Sequence, residues 1–262
     1  MAANLRKRVG LALGGGGARG LAHIGVLSVL DEAGIPIDYL AGASAGSIIG
    51  VSYCAGVGVE KIKEYARRIR WWHYARLVWP RRGLVSFDPL RRWLVAELGD
   101  IDFADLETPF AAVATDMDTG QPVVLDRGRL APAIQASCAV PGLVEPVEIG
   151  GRLLGDGSLS NTVPVSVLRA MGADFVIGVD IFNASIRPRW GPFGMAFTAV
   201  EILVQRAGGG IDDADCLIVP KLGGQTYHRF SARESFYTLG REAALEKLEA
   251  IRAAIGRVPA EA

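Results

Sequence analysis

Val9-Gly10-Leu11-Ala12-Leu13 is an unbroken apolar run of strand length, and it ends on the glycines Gly14 to Gly17. Beyond them Leu21, Ile24, Leu27 and Leu30 recur at helical spacing until Gly34-Ile35-Pro36 stops the pattern. Ile37 to Ala41 predicts a second strand. Gly42 to Gly46 then turns into a buried helix around Ser47 to Val51. The first fifty residues therefore predict strand, glycine loop, helix, strand, turn, helix.

The pattern continues in the same alternation. Glu60 to Trp72 predicts a basic helix, and Leu77 to Ser86, with Pro80 and Gly83, a loop. Asp88 to Leu98 predicts a helix with Asp88 as its cap and Pro89 at its first position. Phe110 to Thr115 and Pro122 to Leu125 predict strands joined at Asp118-Thr119-Gly120. Leu130 to Val140 predicts a small-residue helix broken at Pro141-Gly142. Pro146 to Ile149 and Arg152 to Leu154 predict a hairpin around Gly150-Gly151. Helices are expected over Pro164 to Met171 and Phe197 to Gln205, and strands over Phe175 to Ile181 and Cys216 to Val219. Ser231 and Glu234 form a capping box for a last helix reaching about Ile255. With no long linker and no repeat, this order predicts one α/β domain over residues 1–262. Its central sheet is mostly parallel and covered on both faces.

Composition narrows the class. The 262 residues are 50% hydrophobic and 21% charged, which excludes a disordered chain. The net charge is zero, so no overall field draws nucleic acid, and none is expected as a partner. The charge is unevenly placed: Lys61 to Arg92 is strongly basic and Trp93 to Gly128 acidic. Cys54, Cys138 and Cys216 are far apart and give neither zinc spacing nor a disulfide framework. A reducing, cytoplasmic setting is expected. Met1 to Arg8 is basic, but the apolar run after it is too short for a signal peptide and reads as the first strand. No stretch is long enough to span a bilayer, so lipid contact is expected to be peripheral, at the inner face of the membrane.

Three stretches carry chemistry. Gly14-Gly15-Gly16-Gly17-Ala18-Arg19-Gly20, between a strand and a helix, points backbone N–H groups into a shared space that binds negative charge. That charge is either a phosphate or the oxyanion of acyl transfer. Gly15, Gly17 and Gly20 match the dinucleotide fingerprint, and Asp38 lies near the spacing of the ribose-binding acid, but at the wrong end of its strand. Gly42-Ala43-Ser44-Ala45-Gly46 is a tight turn or a nucleophile on a strained one. Its base is not evident. The order Ser44, Asp156, His228 is that of α/β-hydrolases, but only one strand precedes the serine's own. His23 reads as a packed helix residue and His73 as exposed. Asp156, between Gly155 and Gly157, is the better base, although spacing alone reads it as a Gly-Asp-Gly turn.

Together these stretches resemble the patatin-like phospholipase family, on the bacterial and neuropathy-target-esterase side. Ala136-Ser137-Cys138-Ala139-Val140-Pro141-Gly142, Asn161-Thr162-Val163-Pro164-Val165 and Gly172-Ala173-Asp174 add to the likeness, which covers about residues 8–182. Residues 183–262 are less distinctive. The resemblance implies a three-layer α/β/α fold and a Ser–Asp dyad hydrolase of lipid acyl esters. Ser44 would be the nucleophile and Asp156 the base. Gly15, Gly16 and Gly17 would form the oxyanion hole with Arg19 beside them, supported by Gly14, Gly20, Gly42, Gly46 and Gly157. No metal or organic cofactor is implied. The substrate is expected to be a lipid or a small ester. A nucleotide-binding protein and a weakly active membrane adaptor are the competing functions. Ser158 stands where the family has glycine or alanine, and its hydroxyl is positioned to weaken Asp156 as a base. Residues 67–82 mix arginine with tryptophan and read either as a helix packed by its aromatic side or as a membrane-contacting element.

Overall fold

The computed structural model describes residues 6–68, 74–182, 191–207, 210–222 and 233–256. Strand β1 (Val9–Leu13) leads through the glycine loop to α1 (Leu21–Glu32). Strand β2 (Tyr39–Ala43) leads directly to α2 (Ala45–Cys54) and α3 (Val59–Arg68). A short antiparallel ladder, β3 (Arg76–Leu77) with β4 (Val85–Ser86), precedes α4 (Asp88–Leu98). Then come β5 (Phe110–Asp116), β6 (Pro122–Leu125), α5 (Leu130–Ser137), β7 (Val147–Ile149) and β8 (Arg152–Asp156). The chain continues through α6 (Val165–Met171), β9 (Phe175–Val179), α7 (Gly191–Arg206), β10 (Cys216–Ile218) and α8 (Arg233–Ile255).

The main sheet runs β10-β9-β1-β2-β5-β8-β7, with β6 also on β5. From β10 to β5 the strands are parallel, and β6, β8 and β7 complete the edge antiparallel. Strand periodicity separates two cores. Val9, Leu11 and Leu13 face a large one shared with α1, α2 and α8, while Ala12, Ala41 and Ala111 face a small one under α6. This is the α/β/α arrangement with a mostly parallel sheet that the sequence predicts.

Several boundaries move. Strand β2 begins at Tyr39 rather than Ile37, because Asp38 is occupied below the strand: its carboxylate takes the Val9 N–H at 2.6 Å and a bidentate pair from Arg6. Helix α5 stops at Ser137, short of Val140, because the Ala139 carbonyl accepts the Asp156 N–H at 2.8 Å and is drawn into the sheet. Asp88 does not cap α4. It is the helix's first residue, and its carboxylate accepts from Gln135 instead. Residues 77–86, predicted as a loop, carry the β3–β4 ladder. Ser231 of the expected capping box lies outside the described residues.

Two packing features hold the glycine loop in place. Helix α8 crosses α1 at Gly25 and Gly240, where a Cβ on either would strike the opposite backbone. His23, fully buried in α1, donates its Nε2–H to the Gly14 carbonyl at 2.7 Å. Burial pushes the imidazole pKa down to about 4. The unfolded chain then binds the His23 proton more readily than the folded one. This contribution to stability is complete above about pH 6.5 and is lost as the pH falls towards 4. The difference amounts to about 3 kcal/mol. Urea unfolding at a series of pH values should show His23→Gln losing that much less than the parent between pH 6.5 and 4. Parallel curves would mean that the fold does not lower the His23 pKa.

Candidate active site

Strands β1 and β2 are parallel and in register from Gly10 with Tyr39 to Leu13 with Gly42, so the loops that follow them leave the same sheet edge. Ser44 stands there at the N-terminus of α2, with φ 50° and ψ −119°. Among the described residues it is the only non-glycine residue with positive φ. Such a conformation costs about 1–3 kcal/mol and persists only where its surroundings impose it. Here they do so from both sides. The Ser44 N–H donates to Ser137 Oγ at 3.1 Å, and Ser137 Oγ donates to the Val113 carbonyl at 2.6 Å. The Ser44 carbonyl accepts from Ser47 Oγ at 2.7 Å and from the Cys138 thiol at 3.3 Å. Gly46 is pressed on the Leu13 carbonyl and Gly42 on Gly46, so neither has room for a side chain. An added Cβ on Gly20 would stand 3.0 Å from the Ala45 methyl, a tight contact.

The four glycines divide in two. Gly14 donates its N–H to Val179 and Gly15 to Thr162, both at 3.1 Å, which locks the start of the loop to the sheet. The N–H groups of Gly16 and Gly17 have no partner among the described residues, and both glycines line the cavity beside Ser44. The expectation of three donors is therefore corrected: Gly15 is committed to Thr162. Arg19, expected beside the oxyanion hole, is buried. It is 1% exposed, turns Nη1 towards the Ile181 carbonyl at 3.5 Å, and feels the charges of Asp180 and Glu201. It is absent from the cavity wall and braces the loop from behind.

Asp156 arrives from the other side of β5. Ala43 pairs with Val113 and Asp156 with Ala114, so Ser44 and Asp156 flank one strand at the same level. Gly157 lies so close over the Val113 carbonyl that no side chain fits. The Asp156 carboxylate accepts the Ser158 N–H at 2.9 Å, and its backbone carbonyl accepts from Thr115 Oγ1 at 2.7 Å. Burial raises the carboxyl pKa above the ordinary aspartate value; the nearby hydroxyls of Ser44 and Ser158 offset part of that rise. Ser158 Oγ is itself buried, with no conventional hydrogen-bond partner among the described residues. It occupies the place where a Gly15 Cβ would go, so glycine at 15 and serine at 158 fit together.

These groups open on one cavity of about 570 Å³. Ser44, Asp156, Ser158 and Gly16 meet there with Leu21, Ile48, Phe87, Leu90 and Leu143, and the lining is predominantly apolar. The structure does not bring a histidine to Ser44 among the described residues. His23 is held on Gly14, and His73 and His228 lie outside the described residues. Asp38, the acid of the nucleotide reading, sits before the start of β2, at the sheet edge opposite Ser44, bound to Arg6. Among the described residues no group of acidic, histidine and cysteine side chains has the arrangement of a metal site. Sequence reasoning missed the clamp of Ser137 and Cys138 on the serine backbone. Their stretch was visible, but nothing in its spacing shows which carbonyl or N–H it meets.

A family model described as patatin-like phospholipase matches residues 11–169. A protein of the NTE family from Mycobacterium tuberculosis is 37% identical over 193 residues, covering 69% of this chain and 51% of that one. Lysophospholipase nte1 of Aspergillus fumigatus is 31% identical over 209 residues, covering 71% of this chain and 14% of its own. The chain thus spans about half the length of the mycobacterial relative and a much smaller part of the fungal one. Among solved structures, VipD from Legionella pneumophila superposes with a TM-score of 0.64 at 13% identity, covering 94% of this chain and 67% of that one. Full-length ExoU from Pseudomonas aeruginosa gives 0.53 at 14%, covering 94% and 53%. At such identities these two speak for the fold alone. The match across the motif-bearing core, on this sheet order and around this serine, makes the chain a member of the patatin-like phospholipase family.

Proposed function

We propose that the chain hydrolyses acyl esters of lipids through an acyl-enzyme on Ser44. The observation that carries this reading is the meeting of a strained serine and a buried aspartate in one apolar cavity. Asp156 takes the Ser44 proton as Oγ attacks the ester carbonyl, and returns it to the departing alcohol. Water then attacks the acyl carbonyl and gives a proton to Asp156, which passes it to Ser44 Oγ as the acid departs. The uncommitted N–H groups of Gly16 and Gly17 face the developing oxyanion, at the end of α2 where the helix dipole is positive. A carboxylate of ordinary pKa is a weak base for a hydroxyl. Burial of Asp156 raises its proton affinity, as the reaction requires. The apolar wall suits an acyl chain better than a phosphate, which disfavours a nucleotide. The names of the fungal relatives support lipid as the substrate class.

On p-nitrophenyl esters, Ser44→Ala and Asp156→Asn should each lower kcat/KM by about 10³-fold or more while leaving the fold intact by circular dichroism. Activity needs the ionised carboxylate, so the acid limb of the pH–rate profile should lie above 3.8. An acid limb at or below that value would show Asp156 to be an ordinary solvated carboxylate.

Ser158 tunes this base. Removing its hydroxyl in Ser158→Gly should move the acid limb to higher pH and change the plateau rate by less than about tenfold. A hundredfold gain would mean that the native dyad is badly matched to its task.

A further inference from the structure

The β3–β4 hairpin exposes what a water-facing loop ordinarily hides. Leu77 is 81% exposed, Trp79 80% and Leu84 51%, all within eight residues. Arg81 and Arg82 project from the same loop, and neither has an ion-pair partner among the described residues; Arg76 reaches Asp88 only at 3.5 Å. Residues 78–84 contain no acid, and Asp88 and Glu145 stand at the root of the hairpin.

That root is rigid and is tied to the cavity. Leu84 and Val85 both donate to the Leu143 carbonyl, at 2.9 and 3.0 Å, and Glu145 donates back to Val85 at 2.8 Å. Gly83 lies so close to the backbone of Val144 and Glu145 that no side chain fits. Leu143, like Phe87 immediately after β4, lines the cavity that holds Ser44. The exposed apolar tip is therefore bonded to the cavity wall.

We infer that this hairpin is an interfacial foot that seats the cavity on an anionic lipid bilayer. Leu77, Trp79 and Leu84 enter the headgroup and acyl boundary, and Arg81 and Arg82 meet the lipid phosphates. Tryptophan and arginine are the side chains suited to that depth, where a ring or stem is buried and a polar end stays wet. No described helix is long and apolar enough to cross a membrane, so the contact is one of surface docking. The consequence for catalysis rests on the proposed lipid hydrolysis; the docking does not.

The test uses the full chain and two kinds of vesicle, phosphatidylcholine alone and an equal mixture with phosphatidylglycerol. Co-sedimentation should show at least about tenfold tighter binding to the anionic vesicles. Leu77→Ala/Trp79→Ala and Arg81→Glu/Arg82→Glu should each weaken that binding about tenfold or more. Both should leave hydrolysis of a soluble short-chain ester unchanged. Brominated lipid should quench tryptophan emission in the parent and much less in Trp79→Phe, a readout that needs no catalysis. The proposal is overturned if both double variants bind like the parent, if the parent binds neither vesicle, or if neutral and anionic vesicles bind equally. It is also overturned if the parent self-associates and Leu77→Ala/Trp79→Ala abolishes that, since a second copy would then be what covers the hairpin. Loss of ester hydrolysis in the parent with vesicle binding intact would instead count against the catalytic reading alone.

Discussion

Everything at the site depends on the left-handed backbone of Ser44. A serine at φ 50° is held against a conformational cost of about 1–3 kcal/mol. Net hydrogen bonds worth about 1 kcal/mol each, from Ser137, Ser47 and Cys138, offset that cost. The glycines at 42 and 46 let the strand end and the helix start come within backbone contact. A methyl at either position would push α2 off the Leu13 carbonyl and take the turn with it. The G-x-S-x-G spacing is thus a statement about space, and the side chain it lifts into the cavity follows from the geometry.

Burial governs the rest. Burial raises the Asp156 carboxyl and lowers the His23 imidazole, so one group is made more basic and the other is kept neutral as a brace. Several buried polar atoms near the loop lack a partner among the described residues: Ser158 Oγ, His23 Nδ1 and Asn161 Oδ1. Tyr65 Oη and Asp102 Oδ1 are the other such atoms among the described residues, and both lie away from the loop.

The fold was largely legible because its signals are local. Apolar runs, helical spacing and glycine stops gave β1, α1, α2, β5 and the hairpin of β7 with β8 within a few residues. Ser44 and Asp156 could be named as candidates for the same reason: each sits in a glycine-flanked turn after a strand. The division of the glycine loop was not legible, since only the positions of β9 and of Thr162 show that Gly14 and Gly15 are committed and Gly16 and Gly17 are not. Nor was the burial of Arg19, an arginine in a loop, which depends on Ile181, Asp180 and Glu201, more than 160 residues away. The ladder of β3 and β4 escaped because two-residue strands leave no periodicity, and their support comes from Leu143.

The central claim is that Ser44 is the acylated nucleophile. A fluorophosphonate probe, followed by peptide mass spectrometry, tests it without any choice of natural substrate. The account predicts a single adduct on Ser44, formed by the parent chain and absent from Ser44→Ala. Labelling that survives in Ser44→Ala, or that maps to another residue, would contradict it.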